Sequence, residues 1–294
     1  MTALRTFEHD GLVFDVDDSG GAGDLVVLLH GYPQTRRCWD RVTPVLVAAG
    51  YRVVAPDQRG YSPGARPGGR RDYALDRLVG DLIALADAAG ADRFHVVGHD
   101  WGGAVAWAAA AWHPERLTTM TTLATPHFRA LLWSMVSSGQ LLRSWYMLFC
   151  QLPWLPEAAV AGDRAGAVFA RTLVRSGLSE DRAREYVRFL QEGAAGPALN
   201  WYRAMPFNSP VRLAPVTVPV LHLHGSADFA LTRRSADLTG RYVEGEYRYQ
   251  VLDGVSHWIP EEAADVALPL VLEHLWTHPG DSSAAGDPTA RRSP

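Results

Sequence analysis

The chain has 294 residues, of which 28 are basic and 32 are acidic, so its formal net charge is −4. Every basic residue is arginine, and the lack of lysine excludes a lysine Schiff base and a lysine-type phosphate loop. A mildly acidic chain with scattered arginines is also a poor nucleic-acid binder. The length predicts one large domain, or a domain with an insertion.

The cysteine usage and the N-terminus indicate where the protein works. Cys38 and Cys150 lie far apart and match no metal-binding spacing. The first residues, MTALRTFEHDG, lack the apolar stretch of a signal peptide. The apolar runs all fall short of the roughly 18 residues that a membrane helix needs. We therefore predict a cytoplasmic protein with no membrane span and no bound metal.

Short apolar runs alternate along the chain with segments of helical periodicity. The predicted strands are 11–17, 25–29, 52–55, 94–97, 117–124, 218–223 and 246–252. The predicted helices are 75–89, 101–112 and 260–276. Strands that are apolar on both faces and alternate with helices indicate an α/β architecture, with a mostly parallel sheet flanked by helices.

Residues 127–212 interrupt this alternation. They are rich in tryptophan, leucine and arginine, carry several prolines, and predict a series of short helices. We interpret them as a helical cap inserted into a core formed by residues 1–126 and 213–277. From about His278 the chain is mostly glycine, serine, alanine, proline and arginine, which predicts a disordered tail at 278–294.

The segment FHVVGHDWGGA, residues 94–104, has the pattern of a sharp strand-to-helix turn. Small residues on both sides of Asp100 permit an elbow that lifts its side chain above the sheet edge. A carboxylate is a weak nucleophile that displaces strained or good leaving groups at saturated carbon and leaves an ester. We predict Asp100 as the nucleophile. The alternative is that Asp100 only caps the following helix.

Two later residues complete a candidate triad. Asp228 follows the strand at 218–223, and His257 stands before the last helix. The order nucleophile, acid, histidine is that of the α/β-hydrolases. In this arrangement His257 takes a proton from water, and Asp228 fixes its tautomer and stabilises the imidazolium. Asp253, four residues before His257, is the competing orienting acid.

The motif HGYPQ, residues 30–34, follows the first buried strand of the predicted sheet. Its loop is expected to supply the backbone N–H of Tyr32 to an oxyanion hole, with the N–H of Trp101 as the second donor. A cis peptide bond before Pro33 would hold this loop open.

Together HGYPQ, DQRGYSPGARP, GHDWGG, GSAD and GVSHW resemble the α/β-hydrolase epoxide hydrolases over most of residues 11–276. The core motifs are shared with haloalkane and haloacetate dehalogenases. The resemblance implies the α/β-hydrolase fold with a helical cap. It also implies an enzyme without cofactor that uses water to open an epoxide to a vicinal diol, through an ester on Asp100.

The family's cap carries two tyrosines that hydrogen-bond the epoxide oxygen. The segments WYMLFCQLP and NWYRAMP resemble the family's and give Tyr146 and Tyr202. A phenol in a dry pocket is a suitable acid for a developing alkoxide. Ordinary packing is the alternative reading of both. We expect Pro33, Trp201 and Trp258 to line the pocket, and the cap tryptophans suit a bulky apolar or aromatic epoxide.

Two other functions stay open at this point. A dehalogenase would stabilise a departing halide with indole or amide N–H groups, and it would typically carry Asn in place of Tyr32 or Arg in place of Trp101. A non-catalytic relative would bind a ligand without turning it over. A homodimer is compatible with the sequence.

Overall fold

The computed structural model of the protein describes residues 3–208 and 215–280. Within these ranges one eight-stranded sheet has the strand order β1-β2-β4-β3-β5-β6-β7-β8. Its strands are β1 (Thr6–His9), β2 (Leu12–Asp18), β3 (Leu25–Leu29), β4 (Arg52–Pro56), β5 (Phe94–His99), β6 (Leu117–Leu123), β7 (Val220–Gly225) and β8 (Tyr247–Leu252). β2 is antiparallel to β1 and β4, and the other neighbouring strands are parallel.

Helices cover both faces of the sheet and make up the segment between β6 and β7. The α-helices of the described residues are α1 (Thr43–Ala48), α2 (Leu75–Ala88), α3 (Trp101–Trp112), α4 (Phe128–Ser137), α5 (Gln140–Arg143), α6 (Trp145–Phe149), α7 (Leu155–Ala158), α8 (Gly162–Arg175), α9 (Glu180–Phe189), α10 (Ala195–Arg203), α11 (Arg233–Thr239), α12 (Ile259–Glu262) and α13 (Ala264–Thr277).

The central strands are buried because helices pack on both sides of them. In β3, Val27 and Leu29 join the apolar cluster that contains α2 and α3. Val26 and Leu28 point to the opposite face and join the cluster that contains α1 and α13. A parallel strand that is covered on both faces needs a continuous apolar run, which the segment LVVLL supplies.

Helices α4 to α10 lie between β6 and β7, where the sequence predicted a helical insertion. The indole Nε1 of Trp201 in α10 donates to the backbone carbonyl of Arg59 at 2.7 Å, which fastens the insertion to a core loop. We propose 127–212 as the cap and 1–126 with 213–277 as the core. Residues 209–214, at this boundary, lie outside the described part of the chain.

The predicted strands all appear in the sheet, with small differences at their ends. β1 was not predicted, because TFEH is short and mostly polar and its pairing with β2 decides its structure. The predicted helix 260–276 is two helices, α12 and α13, which meet at the non-helical backbone of Ala263.

The predicted tail begins where α13 ends. The N–H of Gly280 donates to Asp24 Oδ2 at 3.0 Å, and residues 281–294 lie outside the described residues. Within 3–208 and 215–280, no helix combines the length and the apolar character that a membrane crossing requires.

Candidate active site

Asp100 sits at a sharp turn between β5 and α3. Its backbone has φ 50° and ψ −120°, a conformation that L-residues rarely adopt. Such a residue costs of the order of 1–3 kcal/mol and persists when its surroundings impose it. A Cβ on Gly102 would collide with the carbonyl oxygen of Leu29, so the glycine permits the close approach of helix and strand. The turn predicted from the sequence is present.

Each oxygen of the Asp100 carboxylate has a different neighbour. Oδ1 accepts a hydrogen bond from the backbone N–H of Tyr32 at 2.8 Å. Oδ2 lies 3.6 Å from Nε2 of His257. The peptide bond between Tyr32 and Pro33 is cis, as expected. Trp101 is the first residue of α3, and the amides of a helix's first turn have no partner inside the helix.

His257 is held on its other side by Asp228. Nδ1 of His257 lies 2.8 Å from Asp228 Oδ2, and both side chains are buried. The second oxygen, Oδ1, accepts the N–H groups of Ala230 and Leu231 at 2.8 and 2.9 Å. The structure thus brings Asp228 to the histidine. Asp253 lies elsewhere and accepts a hydrogen bond from Ser226 at 3.1 Å.

The charges of the three residues depend on one another. Burial opposes the charge on His257, but the carboxylates of Asp228 and Asp100 outweigh it and raise the pKa of His257 to about 10. Burial likewise raises the pKa of Asp100, but the hydrogen bond and charge of His257 outweigh it and lower that pKa. The same balance lowers the pKa of Asp228. The resting site therefore holds two carboxylates and an imidazolium.

A cavity above Asp100 contains both predicted cap tyrosines. Tyr146 of α6 and Tyr202 of α10 line it, and their rings meet edge to face at 5.9 Å. Burial and the charge of Asp100 raise the pKa of each phenol, so both stay protonated at neutral pH. Much of the remaining wall is apolar and includes Leu75, Phe128, Leu131, Met147, Met205 and Leu231.

Comparison with known proteins places the chain in a family. The alpha/beta hydrolase fold model matches residues 24–264. The chain is 37% identical over 261 residues to the AB hydrolase superfamily protein YfhM of Bacillus subtilis, covering 86% of this chain and 90% of that protein. It is 31% identical over 314 residues to Epoxide hydrolase A of Mycobacterium tuberculosis, covering 92% and 96%. The chain belongs to the epoxide hydrolase group of the α/β-hydrolase family.

A solved structure agrees with this membership. The crystal structure of Epoxide Hydrolase A from Mycobacterium thermoresistibile matches this α/β-hydrolase with a TM-score of 0.81 and 28% identity, covering 94% of this chain and 98% of that chain. The predicted fold, the family resemblance and the enzyme class of hydrolase are confirmed.

Three residues predicted for the pocket wall of this α/β-hydrolase, Pro33, Trp201 and Trp258, are buried and are not among the described residues that line the cavity. The indole N–H of Trp201 donates to the Arg59 carbonyl, and the indole of Trp258 donates to Ser176 Oγ at 3.0 Å. Large apolar side chains suit a core and a pocket wall equally, so their type alone did not separate the two.

Phe229, which was not predicted from the sequence, lies beside the histidine. The ring of Phe229 lies 5.6 Å from that of His257, centroid to centroid, and 45% of the residue is exposed. Phe229 directly follows Asp228 in the sequence, and a neighbour of the orienting acid lies near the histidine. This position could therefore have been used to predict it.

Proposed function

We propose that this enzyme adds water to an epoxide and yields a vicinal diol, through a covalent ester on Asp100. One observation carries the proposal most strongly. The elbow presents a carboxylate rather than a serine, with one oxygen bound by the N–H of Tyr32 and the other 3.6 Å from Nε2 of His257, and this side chain lines the same cavity as the two tyrosines. Relatives over nearly the whole chain are named epoxide hydrolases, which supports the same chemistry.

In the first step an oxygen of Asp100 attacks an epoxide carbon from the side opposite the carbon–oxygen bond. A carbon–oxygen ester bond forms, the ring bond breaks, and its electron pair stays on the epoxide oxygen. Tyr146 and Tyr202 donate to that oxygen, and one of them supplies the proton. Phenols that stay protonated in a buried site are suited to this role, because they act at the moment the charge develops.

In the second step water attacks the ester carbonyl carbon of Asp100. Esterification removes the charge of Asp100 from beside His257 and so lowers the pKa of His257. The neutral imidazole then takes the proton of this water, and Asp228 stabilises the imidazolium that forms. The N–H groups of Tyr32 and Trp101 hold the oxyanion, and a preorganised donor of this kind contributes about 3 kcal/mol to lowering the barrier. The ester carbon–oxygen bond on the Asp100 side breaks, the imidazolium of His257 gives its proton to the departing oxygen, and the diol leaves. Asp100 is left as a carboxylic acid; it loses its proton and the tyrosine phenolate of the first step gains one, which restores the carboxylate and both phenols.

The cavity favours an apolar or aromatic epoxide. Leucine, methionine and aromatic side chains line it, while its polar groups include Asp100, Thr125 and the two tyrosines. Such a site binds a substrate by apolar burial and orients it with few polar contacts.

A single turnover in heavy-oxygen water tests the covalent route. With enzyme in excess over styrene oxide, we expect the label on Asp100 and an unlabelled first diol, because water attacks the ester carbonyl. Asp100→Ala is the matched control and should form no diol. Label that enters the first diol directly would contradict the covalent route, and tight binding of epoxide without diol would make the protein a binding relative.

A further inference from the structure

A line of buried polar side chains joins cap helix α9 to the loop that carries His257. The hydroxyl of Tyr186 donates to Glu261 Oε1 at 2.7 Å, and Nε2 of Gln34 donates to Glu261 Oε2 at 2.6 Å. Oε1 of Gln34 lies 2.7 Å from His99 Nδ1, and His99 Nε2 lies 2.9 Å from the backbone carbonyl oxygen of His257. The cap and the histidine loop are thus connected through four side chains.

His99 has too few ring hydrogens for its two hydrogen-bonding contacts when it is neutral. Its two ring nitrogens face two acceptors, the amide oxygen of Gln34 and the carbonyl of His257. A neutral imidazole donates only one hydrogen bond. Burial lowers the pKa of His99 to about 4, so the ring is neutral near pH 7. One of the two contacts therefore lacks a hydrogen in this orientation of the Gln34 amide.

If Glu261 is protonated, a flip of the Gln34 amide that exchanges Oε1 and Nε2 gives both contacts of His99 a hydrogen. The carboxylic acid of Glu261 then donates to the amide oxygen of Gln34, whose NH₂ group donates to His99 Nδ1. His99 carries its hydrogen on Nε2 and donates it to the carbonyl of His257. The turned amide gives up only a long contact of 3.4 Å with the N–H of Gly31.

When Glu261 is ionised, the hydrogen bonds between Glu261 and His99 run in the opposite direction. It accepts from the NH₂ group of Gln34, the amide oxygen accepts from His99 Nδ1, and the lone pair on His99 Nε2 faces the carbonyl of His257. No hydrogen is then left to hold that carbonyl. The proton on Glu261 thus decides which tautomer His99 adopts, and whether the His257 backbone is bound.

Glu261 reaches the protein surface at a cleft. Its side chain is 9% exposed and lines a cleft between α9 and the segment of Cys38 and Arg41. Burial raises the pKa of Glu261 to about 7, although the donors Tyr186 and Gln34 lower it. The other charged or titratable groups that face it are Arg182 and Glu185 on α9, Arg41 at its backbone carbonyl, Cys38, and Glu262 on its own helix.

We propose that Glu261 is a positioning residue for His257, acting through Gln34 and His99, and that Tyr186 ties this hold to cap helix α9. The inference rests on the proposed role of His257 in ester hydrolysis. Protonated Glu261 keeps the His257 carbonyl bound and the imidazole in line with the ester. When Glu261 loses its proton, ester hydrolysis slows while ester formation does not change.

The test compares Glu261→Gln with Glu261→Leu in pre-steady-state reactions with styrene oxide on both sides of neutral pH. Rapid quenching and intact mass spectrometry give the rates of ester formation and ester hydrolysis. The glutamine amide donates to Gln34 and accepts from Tyr186, as the carboxylic acid does, so this variant should lose the alkaline decline in hydrolysis. Leucine leaves Gln34 and Tyr186 without their partner and should slow hydrolysis about 10- to 100-fold, because small misplacements cost rates of this size.

Glu180→Gln is the matched control, because Glu180 is an exposed carboxylate of α9 that pairs with Arg184. It should reproduce the wild-type pH profile. The inference is overturned if Glu261→Gln keeps the alkaline decline, or if Glu261→Leu slows both steps equally, as a general folding defect would. Failure of the proposed function looks different: no ester on Asp100 would accumulate in any variant, and both proposals would fall.

Discussion

The backbone N–H of Tyr32 and the carboxylate of Asp100, 68 positions apart in the chain, are joined by a hydrogen bond of 2.8 Å. In the proposed mechanism the two carboxylate oxygens would have different tasks. Oδ1 would carry the negative charge of the oxyanion in the second step, and Oδ2, 3.6 Å from Nε2 of His257, would attack the epoxide. The same contact would then orient the nucleophile in the resting enzyme and stabilise the transition state of ester hydrolysis.

His257→Gln should trap the ester. Attack by Asp100 needs no base, but the attacking water of the second step must lose a proton, and glutamine does not accept it. Incubation with styrene oxide should add one substrate mass to Asp100, detected by intact mass spectrometry and peptide mapping. His113→Gln, at an exposed histidine, serves as the control and should turn over normally. Repeated turnover by the His257 variant would contradict its role as base.

Tyr146→Phe and Tyr202→Phe should each slow ester formation by about 100-fold, because a positioned general acid contributes factors of this size. Hydrolysis of the ester should change little, since the epoxide oxygen is already a hydroxyl by then. Pre-steady-state rates with styrene oxide separate the two steps.

Tyr249→Phe is the control for these variants, because Tyr249 is a tyrosine of β8 outside the cavity lining. The same tyrosine variants distinguish an epoxide hydrolase from a dehalogenase. Halide release from a haloalkane that is undiminished in the double variant would favour a dehalogenase, since a departing halide needs no proton from a phenol.

Local patterns predicted most of the fold, because parallel strands buried on both faces leave continuous apolar runs in the sequence. The turn at Asp100 was also predictable, because the glycines that permit it are close to Asp100 in the sequence. Asp228 was predicted as the orienting acid in preference to Asp253 because it directly follows a strand. Its hydrogen bond to His257 agrees with that choice.

Features that depend on contacts between distant segments were not predictable. The indole N–H groups of Trp201 and Trp258 donate to Arg59 and Ser176, and no local pattern encodes these pairs. The line from Tyr186 to His99 joins segments of the cap, the core loops and the last helices, so only the folded chain brings its members together.

The two steps should differ in their pH dependence. The pKa of His257 is raised to about 10 while both neighbouring carboxylates are ionised, and esterification of Asp100 removes one of these charges. The pKa of His257 in the ester is therefore below its resting value. Ester formation should be insensitive to pH around neutrality, because it does not use the neutral imidazole. Ester hydrolysis should rise with pH on the acid side, as His257 loses its proton. Parallel profiles for the two single-turnover rates would contradict this assignment.

Asp18→Asn should destabilise the fold by up to about 3 kcal/mol, because it weakens the charged hydrogen bonds between Asp18 and the buried guanidinium of Arg52. Asp18 and Arg52 are 0% and 4% exposed at their side chains, and their closest contact is 2.6 Å. Burial opposes the charge on Asp18, but the hydrogen bonds from Arg52 and the backbone outweigh it and lower the pKa of Asp18. The stabilisation is therefore present above the unfolded-state pKa and is lost as pH falls through the folded-state pKa.

Denaturant unfolding should show a difference from wild type that shrinks in acid, while Glu180→Gln, at an exposed pair, should cost less than about 1 kcal/mol. A difference that persists unchanged in acid would mean that packing, and not charge, makes Asp18 important.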